Sequence, residues 1–305
     1  MTAAYSRPAP LWRSLLYVPA NAERFVAKAA ERGADAVILD VEDSIPPDRK
    51  ADGRAALAGA IATVAGAGTV EVMVRINRPW RLAIADLEAA VIPGLDALCL
   101  PKVDGADHIL AIDEVVGELE AERGLPAGHV RYAVLVETAK GVHEARAIAK
   151  ASPRVAAITL GGEDMAADLG LPEPDPAVLD PYDAMVRLAA REAGVIPLGY
   201  PGSIAEFTDL DAFRRGAEQG RRNGSEGGMG IHPAQIPVLN AAFTPSEQEI
   251  AHAEGLLAVF REALAEGKGA VAYKGKMIDK PIVDRAERIV GVAERLKRSA
   301  GPSGR

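Results

Sequence analysis

Short apolar runs rich in Val, Ile and Leu alternate along this chain with longer stretches of helical periodicity. Eight runs can be traced, at 14–18, 36–41, 71–76, 97–103, 131–137, 155–160, 195–200 and 228–232. Near-continuous apolar character over so few residues marks strands covered on both faces, and alternation with helices marks a parallel sheet. The pattern predicts helices beginning near Asn21, Arg49, Ile84, Ala106, Thr138, Met165, Glu206 and Pro233, with Asn21 as a capping residue and Glu23 in the first turn to complement the helix dipole. Eight strand–helix units within about 230 residues predict an α/β chain folded as a (β/α)8 TIM barrel. No strand is followed by a G-x-G-x-x-G turn, which argues against an open dinucleotide-binding sheet.

Residues 172–176 are expected to form a proline-rich, acidic loop, followed by a helix over 182–193 that leads back to the sheet. Beyond the eighth unit come a predicted helix over 245–266, a glycine-punctuated stretch over 267–277 and a helix over 281–298. The reading is therefore a catalytic barrel over 1–243, a C-terminal helical appendage over 244–298 that packs on the barrel or a neighbouring subunit, and a frayed tail over 299–305.

Composition narrows the class. With 305 residues, 49% hydrophobic and 26% charged, the chain is globular, and a net charge of −8 excludes the basic field of a general nucleic-acid binder. Its single cysteine, Cys99, lies in an apolar run and permits no intrachain disulfide. It reads as a small buried hydrophobe. There is no uninterrupted apolar run of about 18 residues and no signal-peptide pattern at the N-terminus, so no membrane partner and a cytoplasmic location are expected.

In a barrel, chemistry comes from the C-terminal ends of the strands. The residues there are Tyr17, Asp40 with Glu42 and Asp43, Arg75 with Asn77, Lys102, Glu137, Glu163 with Asp164, Tyr200 and His232. A capping role explains one such acid but not acids at the ends of the second, fifth and sixth strands together. Glu137 and Asp164 end consecutive strands, about 5 Å apart in the hydrogen-bonding direction, and carboxylates that close repel unless protonated or bridged by a cation. Mg2+ fits, because it takes oxygen ligands, uses one or two carboxylates and leaves positions for water and substrate. Zinc does not, since no His or Cys joins the pair at ligand spacing. Gly161-Gly162 before Glu163 would let the backbone approach a ligand closely, and Arg75 would either pair with Asp40 or Glu42 or stabilise an oxyanion. Arg24 and Lys28 lie one turn apart on the first helix, where a ligand or plain solvation would explain them. His232 is read as a structural residue bonding to backbone.

At these residues the chain resembles the citrate lyase beta-subunit family of the HpcH/HpaI aldolase superfamily, alongside malyl-CoA and citramalyl-CoA lyases. The resemblance rests on Arg13-Ser14-Leu15-Leu16-Tyr17-Val18-Pro19, the stretch 37–44, Val74-Arg75-Ile76-Asn77, Leu100-Pro101-Lys102, Leu135-Val136-Glu137-Thr138, the stretch 162–170, Ile231-His232-Pro233 and Met277-Ile278-Asp279. These span nearly the whole chain in order. The resemblance implies a lyase that reversibly cleaves a 3-hydroxyacyl-CoA such as malyl-CoA or citramalyl-CoA to acetyl-CoA and a small 2-oxo acid. Glu137 and Asp164 would be ligands of Mg2+, with Mn2+ as a substitute, and Asp40, Glu42 and Asp43 the outer layer around the metal and its water. Tyr17, Arg24, Lys28 and Arg75 would contact the coenzyme A thioester, beside Glu137, Gly162 and Glu163. Arg75 would hold the enolate oxygen, and Asp279 would be the acid/base group, offered to an adjacent subunit of a homotrimer or hexamer. Two other outcomes stay open: a thioesterase or malate-synthase-like activity, and a citrate lyase beta subunit acting on citryl-acyl carrier protein. The chain departs from the family pattern at Leu198-Gly199-Tyr200-Pro201-Gly202-Ser203, where many relatives carry an aspartate-bearing strand, and this bears on substrate identity.

Overall fold

The computed structural model describes residues 10–300, with side chains to 298. Its strands are β1 (Ser14–Pro19), β2 (Ala36–Asp40), β3 (Glu71–Arg75), β4 (Ala97–Leu100), β5 (Arg131–Val136), β6 (Val155–Leu160), β7 (Ile196–Pro197) and β8 (Gly228–Gly230). Helices α1 (Glu23–Ala29), α2 (Lys50–Ala65), α3 (Trp80–Ala90), α4 (Ala106–Glu122), α5 (Ala139–Lys150), α6 (Gly162–Asp168), α7 (Pro176–Ala193), α8 (Leu210–Asn223) and α9 (Gln235–Phe243) follow them. All neighbouring strands pair in parallel, in the order β7-β6-β5-β4-β3-β2-β1-β8. The ring closes just beyond β7, where Leu198 bridges Gly227 and the Gly199 N–H donates to the Gly227 carbonyl at 2.9 Å. This is the (β/α)8 barrel that the alternation predicts.

Strand periodicity sorts the core into two layers. Ile38, Met73, Cys99, Ala133 and Leu135 face the barrel interior, while their neighbours Val37, Leu39, Val72, Val74, Leu98, Val134 and Val136 pack under the helices. Continuing the inward set two residues at a time arrives at Asp40, Arg75 and Glu137. The sequence therefore aims these three side chains at the mouth. Closure also has a local requirement at Gly227, where an added Cβ would lie 1.8 Å from the Trp12 carbonyl oxygen. That glycine, assigned no role from sequence, lets β8 dock against β1.

Several boundaries differ from expectation. Helix α1 begins at Glu23 after Ala22, and Asn21 does not cap it. Helix α3 begins four residues before Ile84, because Pro79 holds an extended backbone that launches it at Trp80. The helix expected from residue 182 starts at Pro176, a favourable first-turn proline, with Asp175 capping the Ala177 N–H at 2.9 Å and Pro181 accommodated inside. Pro172 to Asp175 alone remain loop.

Two compact units divide at Phe243 and Thr244. The second contains α10 (Glu247–Ala265), a hairpin of β9 (Val271–Tyr273) and β10 (Lys276–Ile278), and α11 (Lys280–Ala300). Its own core joins Leu256, Leu257 and Phe260 to Ile278, Val283 and Ala286. A reciprocal capping box of Ser246 and Glu249 starts α10. The hairpin was not anticipated in the glycine-punctuated stretch. Its two-residue turn, Lys274-Gly275, has φ of 46° and 76°, the left-handed pair that matches strand twist. Ser299 and Ala300 belong to α11, correcting the expected tail boundary. Residues 301–305, like the N-terminal stretch examined for a signal peptide through residue 9, lie outside the described residues. Among the described residues no helix is long and apolar enough to cross a membrane.

Candidate active site

The strand ends open into a cavity of about 460 Å³ within the barrel unit, lined among others by Tyr17, Asp40, Asp43, Arg75, Glu137, Gly162, Glu163 and Asp164. Parallel register makes Asp40 the direct neighbour of Arg75. The two form a bidentate pair, Nε to Oδ1 at 2.7 Å and Nη2 to Oδ2 at 2.8 Å. Asp40 also accepts the N–H groups of Glu42 at 3.0 Å and Ser44 at 3.1 Å, which ties the loop after β2. Burial works against its charged form, but the Arg75 fork outweighs this and holds the carboxyl below its usual range. Arg75 reaches further, to Glu42 Oε2 at 3.0 Å and Asp43 Oδ2 at 3.5 Å, and lies over the Tyr17 ring at 4.6 Å. Of the two sequence readings of Arg75, pairing with these acids is therefore realised, and the group still lines the cavity.

Glu137 is buried, and its Oε2 accepts the main-chain N–H of Lys102 at 2.7 Å. Burial first, then the charge of Asp164, pushes its pKa up to about 7, against the opposing pull of Lys102. A buried acid raised by the charge of a neighbouring carboxylate is the electrostatic signature of a site that favours a cation. Among the described residues no group of three or more His, Cys, Asp or Glu is arranged to hold a metal, so an enclosed protein cage of the zinc kind is absent there. An open pair of carboxylates beside a cavity suits Mg2+, which keeps most of its positions for water and substrate.

Gly161 is what leaves room for the Glu137 side chain. A Cβ there would lie 2.4 Å from both Cγ and Oε1 of Glu137. At Gly162 the nearest atom to such a Cβ is a Leu179 methyl at 3.6 Å, so the need for glycine is confined to the first position. Glu163 accepts a hydrogen bond from the Ser203 hydroxyl.

Lys102 carried no role in the sequence reading beyond its place at a strand end. Its ammonium donates to Glu42 Oε1 at 2.7 Å and stands 3.4 Å from Asp164 Oδ1, linking the Arg75 group to the Glu137 group. It has a left-handed φ of 51°, uncommon for a side chain with a Cβ, and this lets its N–H face Glu137 while the ammonium turns to Glu42. The signal available in sequence was only a lysine ending a strand between acidic strand ends. Arg24 and Lys28 are exposed on α1 and do not line the cavity. His232 accepts from the Ala234 N–H at 3.2 Å and stacks on Phe207, as a structural residue would. Cys99 is fully buried, its thiol pushed up to about 12 by that burial. Asp279 lies in the second unit, where its carbonyl accepts the first α11 N–H groups, from Ile282 and Val283 at 3.0 Å.

A parallel barrel whose strand ends gather paired acids and a guanidinium around one cavity is the architecture of an enzyme, with its chemistry at the C-terminal face. The model of the HpcH/HpaI aldolase/citrate lyase family matches residues 13–233, and the chain belongs to that family of lyases. It is 34% identical to the L-malyl-CoA/beta-methylmalyl-CoA lyase of Cereibacter sphaeroides, over 95% of this chain and 96% of that protein. It is 32% identical to citrate lyase subunit beta of Leuconostoc mesenteroides, over 93% of each. Among solved structures, the CitE protein of Mycobacterium tuberculosis in complex with magnesium, acetoacetate and coenzyme A is similar with a TM-score of 0.70 and 29% identity, covering 94% of this chain and 98% of that one.

Proposed function

We propose that the enzyme reversibly cleaves a 3-hydroxyacyl-CoA to acetyl-CoA and a 2-oxo acid with Mg2+. The observation that carries this reading is the Glu137 and Asp164 pair lining the same cavity as Arg75, in a chain whose relatives include a malyl-CoA lyase and a structure holding magnesium and coenzyme A. Mg2+, or Mn2+ in its place, would be held by Glu137 and Asp164 and would supply Lewis-acid polarisation of the oxo-acid carbonyl.

In cleavage the 3-hydroxyl gives up its proton, the C2–C3 bond breaks with its electron pair passing to the thioester enolate, and the enolate carbon takes a proton to give the acetyl group. Asp40 orients Arg75 through the bidentate pair, and Arg75 stabilises the enolate oxygen, a contribution of about 3 kcal/mol for one such donor. Tyr17, beneath the guanidinium, limits its movement. Asp279 exchanges the proton at the acetyl carbon, from the C-terminal unit of an adjacent subunit in a trimer or hexamer. Arg24 and Lys28, exposed beyond the cavity, hold the coenzyme A phosphates. Glu42 and Asp43, with Asp40, would form the outer layer that orients water around the metal, and Gly162 and Glu163 border the oxo acid.

The test supplies malyl-, methylmalyl-, citramalyl- and citryl-CoA with Mg2+, measuring the oxo acid released and free thiol in parallel. Oxo acid with acetyl- or propionyl-CoA is expected, abolished by a chelator and restored by Mg2+ or Mn2+. Thiol release without oxo acid would instead make the enzyme a thioesterase. Activity only with citryl-acyl carrier protein would make it a lyase-complex subunit.

A further inference from the structure

Lys102 touches both acids of the Glu137 and Asp164 pair, through two different parts of itself. Its main-chain N–H donates to Glu137 Oε2 at 2.7 Å, and its ammonium stands 3.4 Å from Asp164 Oδ1. The main chain is fixed on its other side as well, because Arg78 Nε donates to the Lys102 carbonyl at 3.0 Å. The ammonium has a closer partner than Asp164. It donates to Glu42 Oε1 at 2.7 Å, and Glu42 is itself held: it is buried, its Oε2 lies 3.0 Å from Arg75 Nη1, and its carbonyl accepts from the Lys50 ammonium at 2.6 Å. Asp164, in the first turn of α6, is more than a third exposed. Glu42 is thus the fixed partner of the ammonium and Asp164 the exchangeable one.

A fixed cation beside a metal-binding carboxylate acts in two opposite ways. With the metal away it offsets the repulsion between Asp164 and Glu137, since the Asp164 charge raises the Glu137 carboxyl and the Lys102 charge lowers it. The same charge opposes a divalent cation at that carboxylate. We infer that Lys102 is a positioning residue that serves as an internal counter-ion: its ammonium holds Asp164 beside Glu137 in the free enzyme, cedes Asp164 to the metal while staying on Glu42, and so lowers metal affinity. This rests on the Mg2+ assignment within the lyase reading above and adds a residue to it.

The test is calorimetric titration of the full chain with Mg2+ at about pH 9, where Glu137 is ionised and Lys102 still charged, for the unaltered protein, Lys102→Met and Lys102→Arg. Methionine keeps an unbranched stem, and the left-handed backbone strains it no more than lysine. Lys102→Met should bind Mg2+ at least tenfold more tightly, because one unit charge at contact distance from a ligand oxygen is worth more than that at an effective dielectric of about 20. Lys102→Arg keeps the charge and should stay nearer the unaltered chain than Lys102→Met does. Urea unfolding gives a second measurement: Mg2+ should stabilise Lys102→Met more than it stabilises the unaltered chain. The variants share every other residue, so a group supplied by an adjacent subunit enters all the affinities alike. Should Lys102→Met not fold, Lys102→Gln, whose amide can still donate to Glu42, replaces it with the same sign expected. Equal or weaker Mg2+ binding by the uncharged variant overturns the inference and leaves the lyase reading standing, because a lysine that merely braced the site would leave it looser when removed. If Mg2+ binds none of these chains, the metal assignment fails and the inference falls with it.

Discussion

Replacing Gly161 by alanine is the sharpest perturbation the site allows. The residue has φ of −86° and ψ of 95°, which alanine adopts freely, so the substitution introduces no backbone strain. All of its effect arises from one added methyl, placed 2.4 Å from Glu137 Cγ and Oε1, about 1 Å short of comfortable van der Waals contact. The carboxylate cannot simply swing away, because Oε2 is anchored to the Lys102 N–H at 2.7 Å. Glu137 must move by about the missing ångström, a displacement of the size that costs catalysis a hundredfold when it misplaces an active-site group. Global stability should change far less. Overpacking costs about 1–3 kcal/mol, and removing a glycine from the unfolded chain offsets about 0.4–1 kcal/mol of that. We expect Gly161→Ala to weaken Mg2+ binding, measured by calorimetry, at least tenfold and to lower turnover about a hundredfold, while urea unfolding shifts by less than about 3 kcal/mol. Gly162→Ala, whose added methyl meets only Leu179 at 3.6 Å, serves as the matched control and should bind Mg2+ as the unaltered chain does. Unchanged Mg2+ affinity in Gly161→Ala would refute the assignment of Glu137 as a ligand, as would equal losses in the two variants.

Further outcomes follow from the same geometry. Asp279→Asn should lower turnover by about 10² to 10⁴ with calorimetric Mg2+ affinity unchanged, and near-normal turnover removes it as the acid/base group. Arg75→Lys keeps a charge beside Asp40 but loses the bidentate fork, so kcat should fall about a hundredfold with a smaller change in KM, and a selective rise in KM would show a binding role instead. His108 is buried beside Trp80, ring centroids 5.0 Å apart, and its Nδ1 has no hydrogen-bond partner among the described residues. Burial first, then Arg78, lowers its pKa from 6.5 to about 4. The folded state thus favours neutral imidazole: its contribution is fully present above pH 6.5 and is lost as pH falls toward 4. By linkage the loss is about 2–3 kcal/mol at pH 4.5, so His108→Phe, compared by urea unfolding at pH 7.5 and 4.5, should show a shallower acid decline by that amount. Parallel declines would mean that the ring stays uncharged for another reason or gains a partner.

The sequence by itself determined the barrel and its chemical end. Apolar runs of strand length separated by helix-length stretches leave few ways to cover a parallel sheet, and the two-residue period of a strand carries the inward set through Ile38, Met73 and Leu135 to Asp40, Arg75 and Glu137. These are local regularities, so they survive in one dimension. Where local rules competed, the reading slipped by a turn, as at Pro176, or missed the hairpin around Lys274-Gly275, whose short strands carry no apolar alternation. Tertiary structure alone decided which charges meet. Parallel register set Asp40 against Arg75, a left-handed backbone turned Lys102 toward both acid groups, and the clearance at Gly161 admitted the Glu137 side chain. The apolar part of the lining was equally invisible, because Leu179, Ile204 and Met229 belong to separate segments that only barrel closure brings around one space. Such pairings depend on distances between segments far apart along the chain, which no periodicity encodes.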